Sequence, residues 1–287
     1  DGIRDLVRSR GLGDVYKRQG DSVNFNGSGD VNGMEVSLQI ELDGGAYDDY
    51  SLKIDTGDMG AITFSGASKG VGGLNNYADV VPTAYEEADH GVDTGAVQVG
   101  DDHGSSGVLS YNNTLAGIKF STQYNPRSGT GAINDSGTGG DTGKGSAWSM
   151  VLSSSDFVDG LTVGYAIGEI DKTTNGVGQD SDTMWANYAS GPVTVGFQVG
   201  NVEETGQTEH SNRILGISFA VNDNLSISYN NHNMTYKKRG AGPDVEQQST
   251  GIAIAYTMGG ATLAIQNNSM DNVTGTANTN DEITEVS

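Results

Sequence analysis

Apolar and polar residues alternate along most of the chain from residue 20 onward. In residues 34–42, MEVSLQIEL, apolar side chains occupy every second position, and glutamate, serine and glutamine fill the positions between them. Because successive side chains of a strand point to opposite faces of a sheet, this period predicts β-strands with one apolar face. Similar runs recur between clusters of turn-forming residues, which gives about fifteen candidate strands. The pattern predicts an all-β protein built as a meander of antiparallel hairpins.

The second face of these strands carries small or hydrated residues, mainly Ser, Thr, Gly, Gln and Glu. The continuous apolar face must be buried against a second sheet or, after closure into a barrel, against lipid. Lipid is favoured because only 34% of the residues are hydrophobic, which is few for the core of a soluble protein of this size. The sequence therefore predicts an antiparallel transmembrane β-barrel.

Aromatic residues near the ends of the candidate strands support a membrane barrel. Such residues form the interfacial girdles of outer-membrane barrels, although the general preference of aromatic residues for strands explains some of them. They are Tyr47, Tyr50, Tyr111, Tyr124, Trp148, Tyr188, Tyr229 and Tyr236.

Composition removes several classes of function. The 287 residues include 44 glycines and no cysteine, which excludes disulfides, thiolate metal sites and a cysteine nucleophile. The net charge of −22 disfavours nucleic acid as a partner, because an acidic surface repels phosphate. No stretch approaches the roughly 20 apolar residues of a membrane-spanning helix.

The two ends of the chain differ from the rest. Residues 1–19 carry five basic and three acidic side chains and resemble translated adapter sequence, so we expect them to be foreign to the fold; a basic membrane-binding tail is the alternative. Residues 20–287 are expected to form one β-barrel domain. Residues 281–287, DEITEVS, begin to alternate and then stop, which suggests a fragment that lacks both native ends.

One connection, residues 67–105, is long and acidic. Unstructured connections of more than about 12 to 15 residues are usually functional or disordered. This one also contains valines and tyrosines, so we predict a folded segment that packs against the barrel and presents carboxylates; a solvated surface excursion is the alternative. Its acidic residues, against the single Lys69, are Asp79, Glu86, Glu87, Asp89, Asp93, Asp101 and Asp102.

Basic residues are few after residue 19. The alternation places Lys53 and Lys119 on the polar face, together with Glu35, Gln39 and Glu41. If that face lines a lumen and the acidic segment folds into it, carboxylates and ammonium groups oppose each other across a constriction. An ordinary charge near a strand end is the alternative for each lysine.

Candidate catalytic and metal chemistry is sparse. The four histidines, His90, His103, His210 and His232, lie beside polar residues without H-x-x-x-H spacing and are expected to be neutral surface residues. No nucleophile elbow, phosphate-binding loop or dinucleotide fingerprint occurs, so an enzyme is not expected. Adjacent carboxylates such as Glu86 and Glu87 are typical of solvated charge or of a calcium site. No cofactor is required, Ca²⁺ at the acidic segment is an open expectation, and its ligands are unknown.

The sequence resembles a known family. Residues 50–67, YSLKIDTGDMGAITFSGA, are similar to the strand, turn and strand that precede the constricting third loop of the trimeric general diffusion porins of Gram-negative outer membranes. Residues 105–126 resemble the two strands after that loop. Residues 222–230 and 251–275 resemble the last hairpins, and residues 281–287 resemble the opening of the final strand.

The resemblance implies a sixteen-stranded barrel, of which about fifteen strands are present, and a homotrimer in contact with lipid and lipopolysaccharide. It implies passive diffusion of ions and small hydrophilic solutes, with residues 67–105 folded inward as the constriction. In the family, basic wall residues commonly face the loop carboxylates. Because this chain is poor in basic residues, a preference for cations is expected. The alternative from another class is a secreted, calcium-binding adhesin rich in β-structure or a structural surface protein, but the tandem calcium-binding repeat expected of such an adhesin is not present.

Overall fold

The described part of the molecule is a single antiparallel sheet. The computed structural model describes residues 22–43, 46–66, 73–92, 99, 107–126, 145–171, 177–206, 209–237 and 242–287. Within these ranges the chain forms fifteen strands, which confirms the predicted all-β fold. The strands are β1 (Val23–Val31), β2 (Met34–Asp43), β3 (Ala46–Asp55), β4 (Ala61–Gly66), β5 (Val108–Leu115), β6 (Ile118–Asn125), β7 (Ala147–Ser154), β8 (Leu161–Ile170), β9 (Gln179–Ser190), β10 (Val193–Glu204), β11 (Glu209–Asn222), β12 (Leu225–Lys237), β13 (Val245–Met258), β14 (Ala261–Asp271) and β15 (Asn280–Val286).

The order of the strands in the sheet is their order in the chain, from β1 to β15. Every neighbouring pair is antiparallel, as expected for a meander of hairpins. The β1–β2 hairpin shows how the sequence sets the register. Asn32 and Gly33 have φ of 56° and 83°, the left-handed conformation that a two-residue hairpin turn requires, and pairing starts directly with Val31 opposite Met34.

Three one-turn 3₁₀ helices, Gly57–Met59, Leu74–Tyr77 and Val273–Gly275, lie between strands in the described ranges. No helix among the residues that the structure describes is long and apolar enough to cross a membrane.

The sheet has an outer and an inner face. The outer face exposes large apolar side chains on almost every strand, for example Leu52, Leu109, Leu215 and Ile252. The inner face is largely polar, yet much of it is buried, for example at Gln198, which is 1% exposed. The apolar face is therefore turned away from the protein, and another segment of the chain covers part of the polar face.

The aromatic residues divide between these faces. Tyr124, Trp148, Tyr188 and Tyr229 are 39–49% exposed on the outer face, as expected of girdle residues. The expectation is wrong for Tyr236, which is 7% exposed and makes a T-shaped ring contact with His210 on the inner face. The side chain of Tyr47 lies outside the described residues.

Several strands extend beyond the alternating runs that predict them. The run GIAIAYTM begins at residue 251, but β13 begins at Val245; the run NLSISYN ends at residue 230, but β12 continues to Lys237. The outer face of β13 explains the difference, because it is polar at Glu246 and Gln248 and becomes apolar from Ile252 onward. Where both faces are polar, period-two alternation disappears although the strand continues.

Candidate pore constriction

Residues 73–92, named the inner segment here, lie against the inner face of the sheet. The segment starts with the helical turn Leu74–Tyr77, and the amide of Leu74 donates a hydrogen bond of 3.1 Å to Ser149 Oγ on β7. Further along, the amide of Ala84 donates to Ser228 Oγ on β12 at 2.8 Å. The segment therefore crosses the inside of the sheet from β7 towards β14.

Side-chain amides of the wall hold the backbone of the inner segment. Gln198 on β10 accepts from the amide of Val80 at 2.8 Å and donates to the carbonyl oxygens of Tyr77 and Ala78 at 2.7 and 3.1 Å. Buried backbone groups need such partners, because an unmade hydrogen bond costs about 1 to 3 kcal/mol. The inward Gln198 thus supplies backbone hydrogen bonds that a neighbouring strand would supply in a sheet.

A second amide clamp holds the middle of the acidic stretch. Gln266 on β14 accepts from the amide of Glu86 at 3.0 Å and donates to the carbonyl oxygen of Glu87 at 2.6 Å. Asn268, two residues along the same face, donates to the carbonyl oxygens of Glu87 and His90 at 3.0 and 2.8 Å. These four hydrogen bonds fix the backbone that carries the carboxylates.

Glycines on the wall allow the close approach. A Cβ on Gly216 would lie 2.8 Å from the carbonyl oxygen of Pro82, and one on Gly251 would lie 2.8 Å from Cα of Ala88. Real Cβ atoms do not come this close to backbone, so these positions suit glycine alone. Some glycines of the polar face thus contact the inner segment rather than water.

An apolar cluster anchors the start of the segment. Leu74, Val151 and Trp185 are buried together, and the ring of Tyr77 stacks on Trp185 with centroids 4.6 Å apart. Trp185 was not predicted from the sequence to be an inward residue. Its signal is its place in the alternation of β9, where Met184 and Ala186 hold the outer positions.

Four of the predicted constriction carboxylates lie close together. Burial and the neighbouring carboxylates of Glu87, Asp89 and Glu86 raise the pKa of Asp79 to about 8. The protonated form of Asp79 is therefore favoured in the folded segment.

Asp89 reaches into the wall. Its Oδ2 lies 3.0 Å from Nδ1 of His232 on β12, and both side chains are about 5% exposed. The other ring nitrogen of His232 lies 3.1 Å from Asn212 Oδ1 on β11. The expectation that the histidines are surface residues is wrong for His232 and for His210, which is 7% exposed on the inner face of β11.

Glu86 and Glu87, two of these four carboxylates, also lie beside His90. Each of the three residues offers one ligand atom, and these atoms lie within 4.8 Å of one another. His90 Nε2 also lies 3.2 Å from Oε2 of Glu285 on β15.

The lysines that the sequence assigns to the wall share the face that holds the inner segment. The register pairs Lys53 with Ser37 and Thr63, and the same row continues across β5 and β6 to Ser149. Lys53 makes an ion pair of 3.0 Å with Asp55. Lys119, four positions before Gln123 on β6, lines a recess of about 280 Å³ together with Tyr77.

The remaining predicted site residues are placed only in part. Glu35, Gln39 and Glu41 alternate with the outer residues of β2, and Gln39 lies opposite Ser51 on the inner face. Asp93, Asp101, Asp102 and His103 lie outside the described residues. The role of each of these side chains in a constriction stays a prediction.

The sequence of the chain identifies its family. Residues 8–283 match the family model of the Gram-negative porins. The chain belongs to the Gram-negative porin family. The family resemblance is thereby confirmed, and this porin is an integral protein of the outer membrane whose family members are channels rather than enzymes. The match begins at residue 8, and the assignment of residues 1–19 as foreign stays a prediction. No curated relative matches the porin at the sequence level.

Solved structures show the same fold. A loop L8 deletion mutant of OmpT, an outer membrane protein of Vibrio cholerae, matches with a TM-score of 0.66 and 13% identity over 93% of this chain and 89% of that one. OmpF of Salmonella typhi, solved in complex with daunomycin, matches with a TM-score of 0.61 and 16% identity over 92% of this chain and 88% of that one. A trimer form of Vibrio cholerae OmpT matches with a TM-score of 0.62 and 10% identity over 93% of this chain and 88% of that one. The predicted antiparallel transmembrane β-barrel is confirmed, and family and fold together support a channel for passive diffusion.

Proposed function

We propose that this porin conducts ions and small hydrophilic solutes through a water-filled pore that favours cations, with the inner segment as its constriction. The observation that carries the proposal is the double clamp of Gln266 and Asn268 on the backbone of Glu86 and Glu87. It holds two carboxylates at a fixed place on the inside of the barrel.

The balance of charge on the inner face supports a preference for cations. The structure describes four lysine and arginine residues. Lys53 and Lys119 lie on the inner face, whereas Arg213 and Lys237 lie on the outer face, where they pair with Glu246 and Glu209, respectively. Lys53 is already paired with Asp55. Fixed carboxylates raise the local concentration of cations and lower that of anions over about 8 Å at physiological ionic strength.

Neutralising the two clamped carboxylates tests this proposal. The variant with Glu86→Gln and Glu87→Gln keeps the backbone clamp but removes two charges, each worth about 1 kcal/mol for an ion 4 Å away in water. We expect the cation-to-anion permeability ratio, measured from the reversal potential in planar bilayers, to fall several-fold. The matched control, Asp180→Asn with Asp182→Asn, removes two carboxylates from the outer face of β9 and is expected to keep the ratio. An unchanged ratio in the first variant would refute the assignment of the constriction.

We also propose a homotrimer, on the likeness to a structure that is itself described as a trimer form. The mass of the refolded porin in detergent, measured by light scattering, is expected to equal three chains. A monomeric mass at all protein concentrations would contradict this assembly. Lipid and lipopolysaccharide are the proposed neighbours of the apolar outer face, in keeping with an outer-membrane location. The alternative of a secreted adhesin is not retained, because the family and the fold are those of porins.

A further inference from the structure

Three side chains of the inner segment form a donor set for a metal ion. Glu86, Glu87 and His90 each present one ligand atom, and the three atoms lie within 4.8 Å of one another. Glu285 on β15 approaches the same imidazole at 3.2 Å. The set therefore combines two neighbouring carboxylates and an imidazole from the segment with a third carboxylate from the wall.

The backbone beneath the cluster is held in place. The amide of His90 donates to the carbonyl oxygen of Glu87 at 3.2 Å, which closes a turn and brings the two side chains to one side. Gln266 and Asn268 fix the same turn to β14 through the amide of Glu86 and the carbonyl oxygens of Glu87 and His90. A donor set on a fixed backbone binds a metal ion with less loss of conformational freedom than one on a free loop.

The donor atoms select the class of ion. Calcium prefers six to eight oxygen ligands, whereas zinc and its first-row neighbours accept imidazole nitrogen together with carboxylate oxygen. Zinc binds these groups at about 2.0 to 2.2 Å, so small rotations of the side chains bring three atoms from the present separation onto one ion. His90 thus points to a transition metal rather than to Ca²⁺, the ion that the acidic composition alone suggests.

We propose that Glu86, Glu87 and His90 form a binding site for a divalent transition-metal ion of the zinc type, with Glu285 as an additional ligand or as the partner that orients the imidazole. A bound ion adds two positive charges at the clamped carboxylates and occupies space beside them. The site is therefore also an inhibitory site: binding of the metal lowers the flow of cations through the pore. Only this inhibitory consequence rests on the proposed function.

Direct binding tests the site without the channel. The refolded porin, without a histidine tag, is titrated with Zn²⁺ against a chromogenic chelator. We expect one site per chain, and His90→Ala is expected to weaken it by about tenfold or more. Glu285→Gln is expected to weaken it as well, while Glu282→Gln, on the opposite face of β15, leaves it unchanged. Equal affinity in His90→Ala and the unaltered chain would overturn the proposal.

Planar-bilayer recordings test the inhibitory consequence. Zn²⁺ at micromolar concentration is expected to reduce the cation current of the unaltered porin and not that of His90→Ala, and Ca²⁺ at the same concentration is expected to have no effect. Equal inhibition by the two ions would mean screening of charge and would overturn coordination. If zinc binds but no channel forms, the proposed function fails and the site stands; if a channel forms that neither binds nor responds to zinc, the site fails and the function stands.

His90→Ala is expected to fold, because His90 is exposed. The heat-dependent shift of the barrel in gel electrophoresis checks folding in each variant. The more conservative Glu285→Gln keeps the test decisive should His90→Ala misfold.

Discussion

Single polar side chains of the wall decide where the inner segment lies. Gln198 makes three hydrogen bonds to the backbone between Tyr77 and Val80 and also donates to Thr183 Oγ1 at 2.9 Å. In the sequence it is one more polar residue of an alternating strand. Its role comes from its position in the fold, because the amide whose hydrogen bond it accepts lies 118 positions away in the sequence.

Removing this clamp is expected to loosen the constriction. Gln198→Ala removes hydrogen bonds worth about 1 kcal/mol each and leaves backbone groups of the inner segment unpaired. We expect a higher single-channel conductance and entry of larger sugars in liposome swelling assays. Gln198→Glu, which puts a carboxylate oxygen beside the carbonyl oxygens of Tyr77 and Ala78, is expected to loosen the segment as well, and Gln248→Ala on the outer face should change nothing. An unaltered size limit in Gln198→Ala would contradict the role of the clamp.

Asp79 is expected to make ion selectivity depend on pH. Burial and neighbouring carboxylates raise its pKa to about 8, so the protonated form is favoured in the folded segment. Docking of the segment is then most stable below the ordinary pKa of an aspartate and becomes less stable as the pH rises towards about 8.

The measurement is the permeability ratio as a function of pH, with a chelator present. As the pH rises through about 8, Asp79 gains its charge and the cation-to-anion ratio is expected to increase. Asp79→Asn is expected to lose this increase, whereas Glu282→Gln is expected to keep it. A flat profile in the unaltered porin would show that Asp79 does not titrate in this range.

At the scale of the strand, the outer face of β13 changes from polar to apolar residues along its length. Glu246 and Gln248 are followed on the same face by Ile252, which is 55% exposed. From Gln248 to Ile252 the strand rises about 13 Å. We propose that this change from polar to apolar residues marks the boundary between the part of β13 in the membrane and the part beyond it.

Arginine at these two positions is expected to have different effects. Ile252→Arg places a charge on the apolar part of the outer face and is expected to lower the free energy of unfolding by about 2 to 4 kcal/mol, as near the midplane of a bilayer. Gln248→Arg is expected to cost less than about 1 kcal/mol, as near the interface. Urea titration of the refolded barrel in lipid vesicles measures both. Equal costs would contradict the proposed boundary.

At the scale of the whole molecule, the charge of −22 acts mainly through its position. Carboxylates on the outer face meet the surroundings of the barrel, whereas those of the inner segment meet the permeating ion if the proposed constriction is correct. If selectivity arises from these fixed charges rather than from size, it must be screened by salt.

The cation-to-anion permeability ratio is therefore expected to fall towards one as the salt concentration increases. The Debye length shortens from about 30 Å at about 0.01 M to about 3 Å at about 1 M, so distant carboxylates lose their influence first. Reversal potentials over this range measure the effect, and the double glutamine variant at residues 86 and 87 is expected to show a weaker dependence. A ratio that does not change with salt would point to selection by size.

The sequence by itself determined the sheet, its two faces and the family. Period-two alternation is a local property, so it can be seen in the sequence alone. It predicts the ends of strands such as β2 and β6 within one or two positions. It fails at the start of β13, where both faces are polar and the pattern carries no signal, and at the end of β12, where the apolar Met234 and Tyr236 lie on the inner face and reverse the pattern. The sequence also identified the acidic segment, because its length and charge interrupt the series of alternating strands.

Only the tertiary structure decided where the inner segment lies and which residues it contacts. Hydrogen bonds from Gln198 and Gln266 join residues more than one hundred positions apart, and the contact of Asp89 with His232 makes a buried pair from two residues that look solvent-exposed in the sequence. Glu87-x-x-His90 spacing was present in the sequence, but its approach to Glu285 follows from the path of the segment across the sheet. Alternation fixes the face on which a side chain lies, whereas its partner across the interior is set by how the segment folds back onto that face.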